Sequence, residues 1–134
     1  MDTNVLVSSL KSRRGASFKL LSLVGSGLFE LNISVPLILE YEDILHRKQD
    51  SLVFTQAEIA QLLNYLCSQV NHHQVYFLWR PILKDPKDDM ILQLAVKSSS
   101  EYIVTYNTKD FAGAEQFDIK VATAAQFMSL EGFI

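Results

Sequence analysis

Near its start the chain carries the stretch Asp2-Thr3-Asn4-Val5-Leu6-Val7, in which a carboxylate and two small polar side chains stand directly ahead of an apolar run. We interpret residues 5–10 as a strand or the start of a loop. Downstream, strand-like and helix-like segments alternate, and the chain has no internal repeat. This alternation is typical of an α/β fold with a largely parallel sheet.

The remaining segments follow from apolar spacing, helix caps and chain breakers. Thr55 and Glu58 form the capping-box pattern that opens a long helix, and Pro36 suits the first turn of another helix. Residues 71–73 are expected to end the long helix at the surface. Further strands are predicted over residues 30–35, 75–81, 102–106 and 120–122, and helices over residues 16–24, 37–47, 56–70, 85–98 and 124–130. We therefore expect about five strands and five helices.

Length and composition predict a single domain over residues 1–134, because 49% hydrophobic residues suffice for one core. No apolar run approaches the roughly 20 residues of a membrane helix, and no signal peptide is present, so we expect a cytoplasmic protein without membrane contact. The single cysteine, Cys67, excludes a disulfide framework within one chain and is expected to be buried. The net charge of -3 is unlike that of a general nucleic-acid binder.

Acidic residues stand at the ends of several predicted elements. On the helix over residues 85–98, Asp88 precedes Ile91, Leu92 and Ala95 by three, four and seven residues, so it is predicted to point inward. Asp89 lies at the margin of this face, and Asp85 suits the positive end of the helix dipole.

Acidic residues at two further places can be interpreted either as part of a site or as ordinary structural residues. Glu40 borders the apolar face of its helix, where it could serve a site or pair with a base such as Arg47. Thr105, Asn107 and Asp110 follow a strand at its carboxyl end, where α/β sheets bind ligands. The alternative is an ordinary turn, because Asn and Asp are common turn residues.

The order of these pieces along the chain carries more information than any one of them. The pieces are Asp2-Thr3-Asn4-Val5-Leu6-Val7-Ser8, the run from Ser34 through Glu40 to Arg47, the run from Asp85 through Asp88 to Ala95, and the run from Val104 through Asn107 to Phe111. Together they resemble the PIN-domain nuclease family, and most of all its branch of toxin components of bacterial toxin-antitoxin pairs. The resemblance implies a three-layer α/β/α sandwich with a mostly parallel sheet of about five strands, and an acidic pocket that binds Mg²⁺ or Mn²⁺.

The resemblance also implies roles for individual residues. The family's first three acids fall on Asp2, Glu40 and Asp88, which are thereby implied to be catalytic and to bind the metal. The fourth acid is shared between Asn107 and Asp110, since many relatives have Asp where this chain has Asn107, and Asp110 is taken as the metal ligand. The polar groups implied to orient carboxylates or waters are Thr3, Asn4, Ser34, Thr105 and Asn107.

Such a cluster of acids has a physical rationale. Adjacent carboxylates repel one another, which raises their pKa values unless a cation neutralises them. A hard divalent ion takes oxygen ligands and activates water for attack on a phosphodiester. The first functional hypothesis is therefore a metal-dependent ribonuclease, the toxin of a pair with an antitoxin protein, acting as a homodimer. The basic residues that could contact phosphates are Lys11, Arg13, Arg14 and Lys19.

The second hypothesis is a catalytically weak or inactive PIN-like module that acts through binding and dimerisation. It is favoured by Asn107 in place of Asp and by the position of Asp2, because relatives carry several apolar residues of a central strand ahead of the first acid. We expect that strand to be truncated here, with residues 3–6 supplying what remains. A phosphatase is disfavoured because Asn4 stands where a second catalytic Asp would be needed. Tyr76, Phe77 and Trp79 are interpreted as core or dimer contacts rather than a base-stacking surface.

Overall fold

The computed structural model describes residues 1–73 and 83–133, and its helices and strands alternate as an α/β fold. The predicted strand over residues 75–81, with its three aromatic residues, lies outside the described residues. The helices are α1 (Thr3–Lys11), α2 (Ala16–Ser22), α3 (Val35–Arg47), α4 (Gln56–Gln69), α5 (Pro86–Lys97) and α6 (Ala124–Leu130), and the strands are β1 (Asn32–Ser34), β2 (Asn71–His73), β3 (Tyr102–Val104) and β4 (Lys120–Ala122).

The helix starts follow from local hydrogen bonds that the sequence encodes. The capping box at α4 is confirmed: the Thr55 hydroxyl accepts a bond from the Glu58 N–H at 3.2 Å, and the Glu58 carboxylate accepts one from the Thr55 N–H at 2.9 Å. At α3, the Ser34 hydroxyl accepts a bond from the Leu37 N–H, and Pro36 lies in the first turn as predicted. These caps fix where the two helices begin.

The assignment of residues 5–10 to a strand or loop is wrong, because they belong to helix α1. Val5, Leu6 and Leu10 are fully buried, and their spacing of one and four residues places them on one side of a helix. A run of three apolar residues fits a helix or a strand equally well, which explains the error. Residues 3–6 therefore do not form the remnant of a central strand. Only the backbone of Asp2 takes a strand-like bond, from its N–H to the Val104 carbonyl at 2.8 Å.

The strands of the described residues form two parallel pairs rather than one sheet of about five strands. β1 pairs with β2, and β3 pairs with β4. Strand β2 occupies residues expected only to end a helix, and its His73 Nε2 lies 2.9 Å from Asn32 Oδ1 on β1. Its exposed polar residues carry no apolar alternation, so their strand conformation could not be read from the sequence. Helix α5 contacts both β1 and β3 and so spans the two pairs.

The core is built around helices α1, α3 and α5. Tyr41 on α3 is completely buried, and its hydroxyl donates to the Met1 carbonyl, which ties α3 to the segment before α1. Cys67 is only partly buried, contrary to expectation. No helix within the described residues is long and apolar enough to cross a membrane.

The orientations predicted for Asp88 and Asp89, in the first turn of helix α5, are wrong relative to each other. Asp89 is only 4% exposed, whereas Asp88 is partly exposed. The Asp89 carboxylate accepts hydrogen bonds from the Leu83 N–H at 3.2 Å and the Gln93 side-chain amide at 2.8 Å. Because α5 packs against both strand pairs, its buried face is too wide for periodicity to separate two adjacent margin residues. Asp89 therefore holds the start of α5 in place.

We expect Asp89→Ala to lower the free energy of unfolding by about 2–3 kcal/mol, because it leaves a buried N–H and a buried amide without their acceptor. Denaturation in urea measures this loss. The matched control is Asp43→Ala, which removes an exposed i,i+4 pair with Arg47 and should cost at most about 0.5 kcal/mol. Equal effects of the two substitutions would contradict a structural role for Asp89.

Candidate active site

A pocket of about 400 Å³ lies among α1, α3, the start of α5 and the loop after β3. Each of these elements contributes polar or charged side chains to its lining. The pocket brings together the predicted site residues Asp2, Thr3, Asn4, Glu40, Asp88, Asn107 and Asp110. Residues as far apart in the sequence as Asp2 and Asp110 therefore line the same concave surface.

Asp2 is the most firmly held of these acids. It is 7% exposed, and its Oδ2 accepts a hydrogen bond of 2.6 Å from the hydroxyl of the fully buried Thr105. The Thr105 hydroxyl oxygen in turn accepts a bond from the Asn107 N–H at 3.1 Å. Together with the bond from its own N–H to Val104, these contacts fix both the backbone and the carboxylate of Asp2 at the end of β3.

Glu40 approaches the pocket from the middle of α3. Its carboxylate pairs with Lys87 Nζ at 3.2 Å, and its side chain is only 17% exposed. The partner considered from the sequence, Arg47, instead pairs with Asp43 at 2.9 Å on the solvent side of the helix. Glu40 therefore faces the pocket, where a lysine from the first turn of α5 neutralises it.

The surroundings of Asp88 disfavour the charged form of its carboxyl group. Partial burial, together with the nearby carboxylates of Asp2, Asp85 and Asp110, raises its pKa to about 6. Asp110 lies in a short 3-10 turn, where its N–H donates to the Asn107 carbonyl at 3.0 Å. The loop after β3 thus adds its negative charge beside α1 and α5.

The other residues predicted to orient ligands have different surroundings. Asn4 lines the pocket and its Oδ1 accepts a bond from the Tyr106 N–H at 3.4 Å. Ser34 is buried, caps α3 and does not line the pocket. Its hydroxyl therefore shapes the site by setting where the Glu40 helix begins.

The donor chemistry of the pocket suits a hard cation, but its arrangement is not a preformed metal site. Carboxylate oxygens are the ligands that Mg²⁺ and Mn²⁺ prefer, and the pKa of Asp88 is raised first by burial and then by repulsion from nearby carboxylates, which a cation would relieve. Across residues 1–73 and 83–133, however, no three His, Cys, Asp or Glu side chains are grouped closely enough to hold a metal ion. Of the acids, Glu40 is neutralised by Lys87.

Sequence reasoning missed several charged residues of the pocket. Asp85 lines it as well as capping α5. Lys11, Lys48 and Lys87 line it too, and of these only Lys11 was a predicted phosphate contact. Lys48 follows Glu40 by eight residues, a helical repeat that could have identified it. Of the other predicted contacts, Arg13 lies over the Phe54 ring, 4.8 Å from its centroid.

Replacing Thr105 by Val should lower the free energy of unfolding by about 2 kcal/mol, because it removes the donor to a buried carboxylate without opening a cavity. Chemical denaturation tests this expectation. Thr108→Val, the same change at a partly exposed position of the same loop, should stay within about 0.5 kcal/mol. A Thr105 variant as stable as the Thr108 variant would contradict the importance of the bond to Asp2.

Asp88→Asn should stabilise the fold at pH 7 by about 1 kcal/mol, a value reduced for solvent screening because the side chain is partly exposed. A carboxyl whose pKa is raised in the fold destabilises it above that pKa of about 6, and the cost disappears as the pH falls toward 4. Urea denaturation at pH 7 and at pH 4.5 should show the advantage only at the higher pH. Asp43→Asn serves as the control and should have the stability of the original chain. If Asp88→Asn is less stable than the original chain at pH 7, the ionised Asp88 carboxylate does not destabilise the fold.

Comparison with known proteins identifies the family of the chain. No curated protein and no solved structure matches the chain significantly. A family model described as PIN domain matches residues 1–109, which include Asp2, Glu40, Asp88 and Asn107 but end just before Asp110. PIN domains generally have a nuclease fold and are typically metal-dependent, and PIN nucleases bind RNA or DNA. Because the match covers most of its length, the chain belongs to the PIN-domain family.

Proposed function

We propose that this PIN domain is a Mg²⁺- or Mn²⁺-dependent endoribonuclease. The observation that supports the proposal most is the convergence of Asp2, Glu40, Asp88 and Asp110 on one pocket from four separate elements. Acids placed together at the expense of mutual repulsion are characteristic of sites that bind cations.

The charge balance of the pocket implies that a phosphodiester substrate would need bound cations and local lysines. Its five acids, the four just named and Asp85, exceed its three lysines, so the pocket is negative and needs cations before RNA can approach. Lys11 and Lys48 line the same pocket from the ends of α1 and α3, within reach of a phosphate. Because the overall charge is -3, RNA binding would depend on these local lysines rather than on the charge of the whole protein.

The proposal assigns a role to each side chain. Asp2, Glu40, Asp88 and Asp110 would hold the divalent ion, which polarises the phosphoryl oxygens and lowers the pKa of water. Thr105 keeps the Asp2 carboxylate in place through its hydroxyl. Glu40 would hold the cation in place of Lys87, and the lysine would then be available to a phosphate.

The proposal includes the biological setting implied by the sequence: a cytoplasmic toxin that forms a homodimer and is held inactive by an antitoxin protein. An exposed apolar pair supports a protein partner. Val35 and Leu39 lie one turn apart on α3 and are 65% and 58% exposed. Isolated exposed apolar residues are common, but two on one helix face offer a contact for another chain.

A second candidate function is a catalytically weak or inactive PIN-like module that acts through binding and dimerisation, and that binds RNA without cleaving it. It is favoured by the pairing of Glu40 with Lys87 and by the absence of a preformed metal group among the described side chains. In this alternative, Lys87 remains bound to Glu40, and Lys11 and Lys48 contact RNA that is not cleaved.

The decisive experiment measures cleavage of single-stranded RNA, with single-stranded DNA in parallel, in the presence of Mg²⁺ or Mn²⁺. We expect RNA cleavage that a chelator abolishes and that Asp88→Asn lowers by about 100-fold or more, the loss of several kcal/mol of transition-state stabilisation. Stability measured on the same samples separates this loss from unfolding, since Asp88→Asn is expected to be the more stable protein.

Asp43→Asn serves as the matched control, because Asp43 pairs with Arg47 outside the pocket. It should cleave RNA like the original chain. If the original chain and Asp88→Asn show the same residual cleavage while both bind RNA, the module without activity is the correct function. Cleavage of DNA alone would refute the RNA substrate.

A further inference from the structure

An exposed tyrosine stands at the edge of the acidic pocket. Tyr106 is 45% exposed and directly follows Thr105, whose hydroxyl holds the carboxylate of Asp2. The Tyr106 N–H donates to Asn4 Oδ1 at 3.4 Å, and Asn4 lines the pocket. The backbone of Tyr106 is therefore tied to the rim of the pocket, one residue away from the group that fixes the first acid.

The far end of the Tyr106 side chain is held as well. Its hydroxyl is hydrogen-bonded to the Ser17 hydroxyl on α2 and accepts a bond from the Ser8 hydroxyl on α1 at 3.3 Å. Ser17 is only 1% exposed, so one side of its bond to the tyrosine is closed to water. Ser8 lies one helical turn after Asn4 and lines the pocket too. The ring thus lies along α1 and is fixed at both of its ends.

Packing alone does not account for an exposed ring that is fixed at both ends. Burial stabilises an apolar side chain in proportion to the area removed from water, and nearly half of Tyr106 stays in contact with water. Holding an exposed side chain in one conformation also costs entropy. Such a ring is prepared for a flat partner, because it does not have to be ordered when that partner binds.

The surroundings of the ring favour a nucleobase as this partner. Asn4, Ser8 and Lys11 follow one another at spacings of four and three residues and form a polar stripe of α1 along the pocket. The core of a protein interface is apolar and poor in charged groups, which this stripe is not. A nucleotide instead needs an aromatic face for its base and a cation for its phosphate. Tyr106 and Lys11 supply these two groups side by side.

We propose that the ring of Tyr106 stacks on one base of single-stranded RNA and so positions the nucleotide next to the phosphate that the pocket receives. This inference rests on the proposed ribonuclease function, because the pocket must take that phosphate. The hydroxyl bonds to Ser8 and Ser17 keep the ring in place for the base. Lys11 contacts the RNA backbone from the same face of α1.

The stacking contact defines the class of RNA that the site accepts. A ring can stack on a base only when that base is turned out of a helix, so the substrate is a single strand, a loop or an end rather than a duplex. Every base has an aromatic face, so the contact separates unpaired from paired RNA more than it separates one base from another.

The test measures, by fluorescence anisotropy, the Kd of a labelled single-stranded RNA of about six nucleotides. Ca²⁺ takes the place of Mg²⁺, because its longer bonds and looser geometry are expected to slow cleavage, and electrophoresis verifies that the RNA stays intact. We expect Tyr106→Leu to raise Kd by about tenfold or more, because it removes the aromatic face. Tyr106→Phe keeps the ring and loses only its anchor, so Kd should rise by about two- to threefold.

Tyr65→Leu is the matched control. Tyr65 on α4 is 48% exposed, and its hydroxyl donates to the Val24 carbonyl at 3.2 Å, so it is also an exposed tyrosine with a bound hydroxyl. It does not line the acidic pocket, and its replacement should leave Kd unchanged. Urea denaturation of the same samples verifies that each variant is folded.

RNAs that lack one base at a time, with every phosphate retained, separate stacking from a general loss of affinity. Removing the stacked base should weaken binding by the original chain about as much as Tyr106→Leu does, and it should have no further effect on that variant. A residue that only supports the fold would weaken all these RNAs alike. If Tyr106→Leu does not fold, NMR of the original chain still decides, because the ring protons of Tyr106 should shift upfield when a base stacks on them.

The outcomes distinguish this proposal from the ribonuclease function. If Tyr106→Leu binds RNA as tightly as Tyr65→Leu, or if no single base depends on Tyr106, the stacking proposal is wrong even when the original chain cleaves RNA. If one base depends on Tyr106 but the original chain does not cleave RNA with Mg²⁺, the stacking contact stands and the ribonuclease function fails. A chain that binds no RNA overturns both.

Discussion

The candidate active site depends on two hydrogen bonds at Asp2. Its N–H binds the Val104 carbonyl, and its carboxylate accepts the Thr105 hydroxyl, so one residue is tied twice to the end of β3. A backbone bond alone would leave the carboxylate free to rotate, and the side-chain bond alone would leave its position undefined. Because Thr105 is completely buried, its hydroxyl has no water to compete for it. The first acid of the pocket is thus placed by a residue more than a hundred positions away in the sequence. The remaining acids line the same pocket as this fixed carboxylate.

Helix α5 divides two adjacent acids between stability and chemistry. Asp89 is buried and holds the Leu83 N–H and the Gln93 amide, so its charge is used in setting the start of the helix. Asp88, one residue earlier, faces the pocket with a raised pKa. The anchored helix start brings Asp88 close to Asp2 and Asp110, which repel it. A fold that holds like charges together in this way is less stable than it could be.

Local signals predicted much of this arrangement, whereas long-range contacts could not be predicted. The caps at Ser34 and Thr55 gave the starts of α3 and α4, because a helix start is determined within four residues. The order of acidic motifs indicated the family and the residues that line the pocket. The helix α1 was missed because its apolar run fits either period, and β2 because its partner, not its composition, makes it a strand. The ion pair of Glu40 with Lys87 depends on how α3 and α5 pack, which no local pattern contains.

The peptide that joins Met1 to Asp2 lies between two cavities, since Met1 lines a cavity of about 480 Å³ and Asp2 lines the acidic pocket, while Ile91 lines both. The Met1 carbonyl accepts the Tyr41 hydroxyl and the Asp2 N–H binds Val104, so this peptide is held from α3 on one side and from β3 on the other. The position of the first acid therefore depends on two elements that are far from Asp2 in the sequence, and not only on the helix that follows it.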